Sequence, residues 1–314
     1  MRIALAGSGT LGAALLTALL DSQHEVVALL RNGRIATPFQ RFVLPRLAGM
    51  FAPRSSLLGM GRSAKIPTLY IDAMDEQELA PLRRLEPDLI LVGGFSVILK
   101  PPLLELPSIG CVNCHSSLLP KHRGPNPFSA AVLAGDTESG VTFHIMTEGI
   151  DSGDILMQKA FPLDETDTGG SVYKKASGIA GTLVLDMLDA IERDGLRGTP
   201  QDESAATYDK RLRKKQLRLD WTRPAQELNR LVRACMPFSV ARFDHLGRTV
   251  YVSRTSWDDE PAEAPPGTVV HATYPVRVAT GRGHLVIKAA HTPNVFAWLW
   301  PRLYKNFRTG ERLG

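Results

Sequence analysis

Gly7-Ser8-Gly9-Thr10-Leu11-Gly12 sits between two apolar runs, residues 2–6 and 11–20. A short buried strand, a glycine-rich turn and a helix, in that order, open a βαβ unit. This start leaves few options: the helix recrosses the sheet, and the next strand lies parallel to the first. Val26-Val27-Ala28-Leu29-Leu30 supplies that strand. The alternation continues, with strands predicted at 68–71, 88–93, 111–115, 141–146 and 155–161 and helices at 75–85, 126–133 and 171–193. The fold class is α/β, with a Rossmann-like doubly wound domain first.

The glycines alone do not make a dinucleotide site. Such a site needs an acidic residue roughly 20 positions on, to hold the ribose hydroxyls. The second strand ends Leu29-Leu30-Arg31-Asn32-Gly33, without an acid. Arg31 suits a 2′-phosphate, so the residues leave NADP open. The simpler reading is a tight turn whose glycines let helix and strand approach closely.

The texture changes after residue 199. A polar stretch leads to Lys210-Arg211-Leu212-Arg213-Lys214-Lys215, and a helix is predicted at 226–233. Short strands broken by turns follow at 240–243, 249–254, 267–271, 276–280 and 285–289. This pattern predicts a small β-barrel, OB-like, or a sandwich, and the barrel is the expected form. The expected organisation is a catalytic domain over 1–200, a basic linker over 201–224 and a barrel-like domain over 225–314.

Composition narrows the compartment and the partner. Three cysteines are too few for a disulfide framework, and no apolar run spans a bilayer, so a cytoplasmic chain without a transmembrane segment is expected. Arg2 before an apolar stretch imitates a signal peptide, but glycines interrupt that stretch. Cys111 and Cys114 form C-x-x-C, yet positions i and i+3 of a strand face opposite sides, and no second pair completes a metal site. No metal is expected. The net charge of +5 is concentrated: residues 31–65 hold seven basic residues and no acid, and residues 206–254 hold twelve basic against four acidic. Such clustering suits a polyanion.

The chemistry is carried by Asn113-Cys114-His115-Ser116-Ser117-Leu118-Leu119-Pro120-Lys121-His122-Arg123-Gly124. Asn113 and His115 share one face of a strand and stand at its carboxyl end, where open α/β sheets bind ligands. A glycine-bounded loop farther on, Glu148-Gly149-Ile150-Asp151-Ser152-Gly153, adds a carboxylate. Amide, imidazole and carboxylate suit acyl transfer to an amine. Asn113 is expected to donate to the oxyanion, His115 to take the proton, and Asp151 to orient the imidazole or hold a relaying water. A hydrolase built on Ser116 or Ser117 competes, although no G-x-S-x-G elbow surrounds either serine.

These segments resemble the folate-dependent formyltransferases, whose signature is Asn-x-His, Ser-Leu-Leu-Pro-x-x-Arg-Gly and a later loop Asp. Here 36 residues separate His115 from Asp151. The resemblance implies that Asn113, His115 and Asp151 are the catalytic trio and that 10-formyltetrahydrofolate donates the formyl group. It also implies that Phe95, Val97, Ile98 and Leu99 wall the pterin on one side, and Thr147, Gly149 and Ile150 on the other. Thr207-Tyr208-Asp209-Lys210, Leu219-Asp220-Trp221 and Arg312-Leu313-Gly314 look like the linker and second domain of the two-domain enzymes that formylate methionyl-tRNA. The acceptor implied is tRNA, held through stretches 31–65 and 206–254. Two departures leave another amine open as acceptor: an amino sugar, a hydroxyornithine-type amine or a lipidic amine. Residues 37–51 are apolar with interspersed arginines rather than Lys-Lys-rich, and Arg123-Gly124-Pro125-Asn126-Pro127 replaces the more usual Arg-Gly-Ala-Ala-Pro. Hydrolysis of the formyl folate by water would use the same site. The aromatic stretch 298–304 reads as core or as a contact surface.

Overall fold

The computed structural model describes residues 1–33, 56–293 and 304–314. The expectations for most of stretch 31–65, for 37–51 and for nearly all of 298–304 lie outside them. Contacts divide the chain into two compact units: one of residues 1–127, 139–161 and 173–209, the other of residues 128–138, 162–172 and 210–314.

The first sheet has seven strands: β1 Arg2–Gly7, β2 Glu25–Asn32, β3 Thr68–Ile71, β4 Leu89–Gly93, β5 Gly110–His115, β6 Glu138–Ile145 and β7 Ile155–Pro162. Their order is β3-β2-β1-β4-β5-β6-β7. β1 to β5 run parallel, and β6 returns antiparallel to β5. The order reverses between β1 and β4, which leaves a crevice at the carboxyl ends of the central strands. The helices are α1 Gly9–Leu20, α2 Leu57–Ser63, α3 Glu76–Arg83, α4 Pro101–Leu104, α5 Pro127–Ala134, α6 Gly169–Asp194 and α7 Ala225–Cys235. Asp75, expected in the first turn of α3, is instead its cap, accepting from the Glu78 N–H at 2.9 Å. Among the described residues, no helix is long and apolar enough to cross a membrane.

The glycine turn works by close approach. A Cβ on Gly12 would stand 3.2 Å from the Gly7 carbonyl carbon and 3.4 Å from the Gly93 oxygen. α1 therefore lies almost on the backbones of β1 and β4, and Leu11, Leu15, Leu16 and Leu19 are buried beneath it. Polar groups around the turn are engaged from within the unit. The Tyr173 hydroxyl of α6 bonds the Leu11 backbone at the start of α1. Ser8 Oγ donates to the Gly94 carbonyl. Arg31 donates to the Gly7 carbonyl at 3.1 Å. Cys111 and Cys114 are both buried, and burial pushes the Cys111 thiol up to about 12.

The second unit carries a five-stranded antiparallel sheet, β10-β11-β12-β9-β8. Its strands are β8 Ala241–His245, β9 Arg248–Asp258, β10 Val269–His271, β11 Val276–Ala279 and β12 His284–His291. β9 outruns the predicted 249–254 because Thr255–Asp258 continue to pair with β12 across two register shifts. The edge strands β8 and β10 do not pair with each other, so the sheet is a half-barrel. The C-terminal residues bridge the gap. Val269 donates to Glu311 and Leu313 to Gly267, while Gly314 and Asp244 exchange backbone bonds. Trp221, Leu228, Val232, Phe243, Val252 and Ile287 fill the interior.

Gly12→Val is expected to force β1 and β4 apart and cost about 1–3 kcal/mol, as overpacking usually does. A lowered thermal midpoint in calorimetry checks it; an unchanged midpoint would show that α1 has room to move.

Candidate active site

β5 ends in the crevice, and its two-residue period brings Asn113 and His115 out on one face. The antiparallel register places His144 of β6 opposite Asn113, and Thr142 opposite His115. The loop after β6 then brings Asp151 back. Asn113 Nδ2 lies 3.3 Å from Asp151 Oδ1 and 3.1 Å from His144 Nε2. His115 Nδ1 stands 3.6 Å from the same Asp151 oxygen, as does His144 Nε2. The three residues singled out in the sequence thus meet around one carboxylate oxygen.

Hydrogen bonds at the far side of each ring assign the protons. His115 Nε2 lies 2.9 Å from the His122 carbonyl, which can only accept, so Nε2 carries the hydrogen. In the neutral ring the lone pair is then on Nδ1, facing Asp151. His144 Nδ1 donates to the Ile145 carbonyl at 2.9 Å, which makes its Nε2 an acceptor for Asn113. Both amide hydrogens of Asn113 are therefore engaged, by His144 and by Asp151.

Burial pushes the His115 pKa down, against the upward pull of Asp151, so the ring is neutral near pH 7. For Asp151 burial acts the other way, but attraction to the His115 and His144 rings in their charged forms and the Gly124 N–H outweigh it. They bring the carboxyl from 3.8 to about 2. The Gly124 N–H meets Asp151 Oδ2 at 2.8 Å. Gly124 has φ +119°, and a Cβ there would lie 2.3 Å from the Asp209 carbonyl, so only glycine presents this amide.

Beneath the site lies a polar cluster that sequence reading missed. The Arg123 guanidinium is completely buried. It donates to Gln201 Oε1 at 2.8 Å, to Glu203 at 2.6 Å and to the Tyr208 hydroxyl. His122 Nδ1 lies 2.7 Å from Asp209 Oδ2. Residues 201–209 lack apolar periodicity and read in sequence as the start of a linker; here they bond the loop that carries His122 and Arg123. His144 did leave a signal: extending β6 antiparallel to β5 puts it across from Asn113.

The expected donor walls are more varied. Phe95 and Val97 pack against the core on one side of the sheet, and Leu99 is buried within it. Ile98 and Ile150 are exposed, at 70% and 52%. Thr147 and Gly149 are exposed in the loop that carries Asp151. Away from the site, His24, Asp189 and Glu192 have ligand atoms within 4.8 Å of one another. The Met1 ammonium, 3.2 Å from Glu192 and 3.3 Å from His24, already serves as their cation.

The first unit is a Rossmann-like α/β sheet that brings the Asn113 amide and the His115 imidazole, at the end of β5, together with the Asp151 carboxylate from the loop after β6. Residues 1–188 match the family described as Formyl transferase, and residues 211–295 match Formyl transferase, C-terminal domain. The chain is 34% identical over 319 residues to the methionyl-tRNA formyltransferase of Pseudomonas paraeruginosa, covering 100% of both chains. The fold resembles that of an N-formyltransferase from Helicobacter canadensis, solved with folinic acid and dTDP-3-aminofucose. There the TM-score is 0.66 at 18% identity, covering 92% of this chain and 99% of that one. HypX from Aquifex aeolicus, solved with tetrahydrofolic acid, gives a TM-score of 0.63 at 20% identity, over 100% of this chain and 50% of that one. The chain belongs to the formyl transferase family and is a formyltransferase.

A depressed carboxyl stabilises the fold above the ordinary Asp range, and that contribution is lost as pH falls from about 4 toward 2. Asp151→Asn should lower stability near pH 7 by roughly 1–2 kcal/mol and flatten the acid limb of the stability profile. Thermal midpoints recorded across that range check this. An acid limb as steep as the unmodified protein's would mean the carboxylate is not held by its donors.

Proposed function

We propose that this enzyme transfers the formyl group of 10-formyltetrahydrofolate to the amino group of methionyl-tRNA. The observation that carries the acceptor is the end-to-end identity with a methionyl-tRNA formyltransferase, which spans both domains. The folate complexes of the two structural relatives support the donor. Ile98 and Ile150, both exposed, offer aliphatic surface to a planar pterin. Work on charged tRNA places the chain in the cytoplasm, in keeping with three free, buried thiols.

The trio's geometry fits the chemistry. The neutral amine attacks the formyl carbon, the new C–N bond forms, and the carbonyl electrons move to oxygen. His115 takes the amine proton on Nδ1, directly or through one water, because Nε2 is already committed to His122. The resulting imidazolium pairs with Asp151. Asn113 then no longer needs to serve that carboxylate, and the amide hydrogen at 3.3 Å, the longer of its two contacts, turns to the oxyanion. Collapse breaks the bond to the folate nitrogen, which takes the proton back from His115. Asp151 stays ionised throughout.

The tRNA is held by basic surface. Arg211, Arg213, Lys214 and Lys215 are all exposed in the stretch that opens the second unit, and residues 31–65 add seven more cations in sequence. Purified protein with labelled formyl donor should label charged initiator tRNA; label appearing only on an amino sugar or another small amine would transfer the proposal to that acceptor. His115→Ala should cut turnover about 10²–10⁴-fold, the usual scale for a general acid–base group, and an undiminished rate removes His115 from the mechanism. tRNA binding should weaken steeply with salt, and less steeply after Lys214→Glu and Lys215→Glu. A flat salt response counts against a polyanion.

A further inference from the structure

Asp151 is held in an unusual backbone state. Its φ is +51°, in the left-handed region that a non-glycine residue occupies only when its surroundings impose it. The side-chain carboxylate is gripped by Gly124 and Asn113, and among the described residues the backbone is gripped by Gln201. Its Nε2 donates to the Asp151 carbonyl at 2.9 Å and to the Gly153 carbonyl at 2.7 Å. Its Oε1 accepts from Arg123 Nε at 3.2 Å and Nη2 at 2.8 Å. Both donors and both lone pairs are used, so the amide has a single orientation. Arg123 is itself fixed by Glu203 and by backbone bonds to Thr207 and Asp209.

We infer that Gln201 is the positioning residue of the active site: it holds the left-handed turn at Asp151 and thereby sets the distance between the carboxylate and His115. This inference rests on the trio proposed above as the catalytic group. Without the two carbonyl bonds the turn relaxes, and Asp151 Oδ1 moves away from His115 Nδ1. The charged and titratable groups that face the His115 ring are Asp151, His144 and His122. Those behind the loop are Arg123, Glu203 and Asp209. Of these, Asp151 is the anion that supports an imidazolium at His115, so its withdrawal lowers the pH at which the ring protonates.

The test is an NMR titration of the histidine ring carbons in the full-length protein, which needs no acceptor. Four proteins are compared: unmodified, Gln201→Met, Asp151→Asn and Glu203→Gln. Gln201→Met removes both donors at nearly constant volume and adds no charge. It should lower the His115 midpoint by about half a pH unit or more, and Asp151→Asn should lower it further. Glu203→Gln loosens Arg123 but keeps both carbonyl bonds, and should leave the midpoint in place even if it lowers the Tm. Turnover at neutral pH should fall about tenfold in Gln201→Met, as misplaced catalytic groups commonly cost. Should Gln201→Met fail to fold, Gln201→Asn keeps an amide near Arg123 but is one methylene too short to span both carbonyls, and the same downward shift is expected. A His115 midpoint unmoved by either Gln201 variant, but moved by Asp151→Asn, overturns the inference and leaves the trio standing. A midpoint unmoved by Asp151→Asn overturns the coupling within the trio itself. A midpoint shifted equally by Glu203→Gln and Gln201→Met also overturns the inference, because the effect would then be general loosening.

Discussion

One oxygen organises the candidate active site. Asp151 Oδ1 lies within 3.6 Å of His115 and His144 and 3.3 Å from Asn113. A carboxylate this deeply placed is costly unless donors surround it. Much of the local structure can be read as the means of supplying them. Gly124 is a glycine so that its amide reaches Oδ2. The loop from Pro120 to Gly124 bends so that the His122 carbonyl meets His115. Arg123 is buried because it ties that loop to residues 201–209. The His122 and Ile145 carbonyls determine which nitrogen of each imidazole bears a hydrogen, and that in turn fixes which atom is free to accept a proton.

The parts of this site differ in how visible they are before folding. Asn113 and His115 were legible because a strand's period of two is a strong rule and the carboxyl end of a parallel strand is a known place for ligands. Asp151 lay 36 residues away, a separation with no geometric meaning until β6 and its return loop are built; the family signature, not the spacing, linked it to the pair. His144 was within reach of register reasoning. Gln201, Glu203 and Tyr208 were not, because they stand in a stretch with no apolar rhythm and act through polar bonds that leave no periodic trace. Leu99, expected as part of a pterin wall, is buried in the core of the first unit.

The glycine turn illustrates how one pattern can serve two ends. Its strand–turn–helix context is present in the structure, and the βαβ rhythm runs through β5; β6 then returns antiparallel, and no helix separates it from β7. Its usual ligand is another matter. At the start of α1 the Tyr173 hydroxyl, from α6 far along the chain, bonds the Leu11 backbone and would stand 3.2 Å from a Cβ on Gly9. No local reading of the turn reveals such a contact. The missing acid after β2 was the useful clue, and Arg31, which the residues alone left open to a phosphate, is bonded to the Gly7 carbonyl.

The half-barrel's closure by its last residues carries a practical consequence. β8 and β10 would each present unpaired backbone groups if residues 310–314 were absent. Open strand edges invite pairing with other chains. Handling of the C-terminus therefore bears on solubility as much as on folding: a short truncation, or an affinity tag that pulls this segment out of register, turns a shielded half-barrel into a template for self-association.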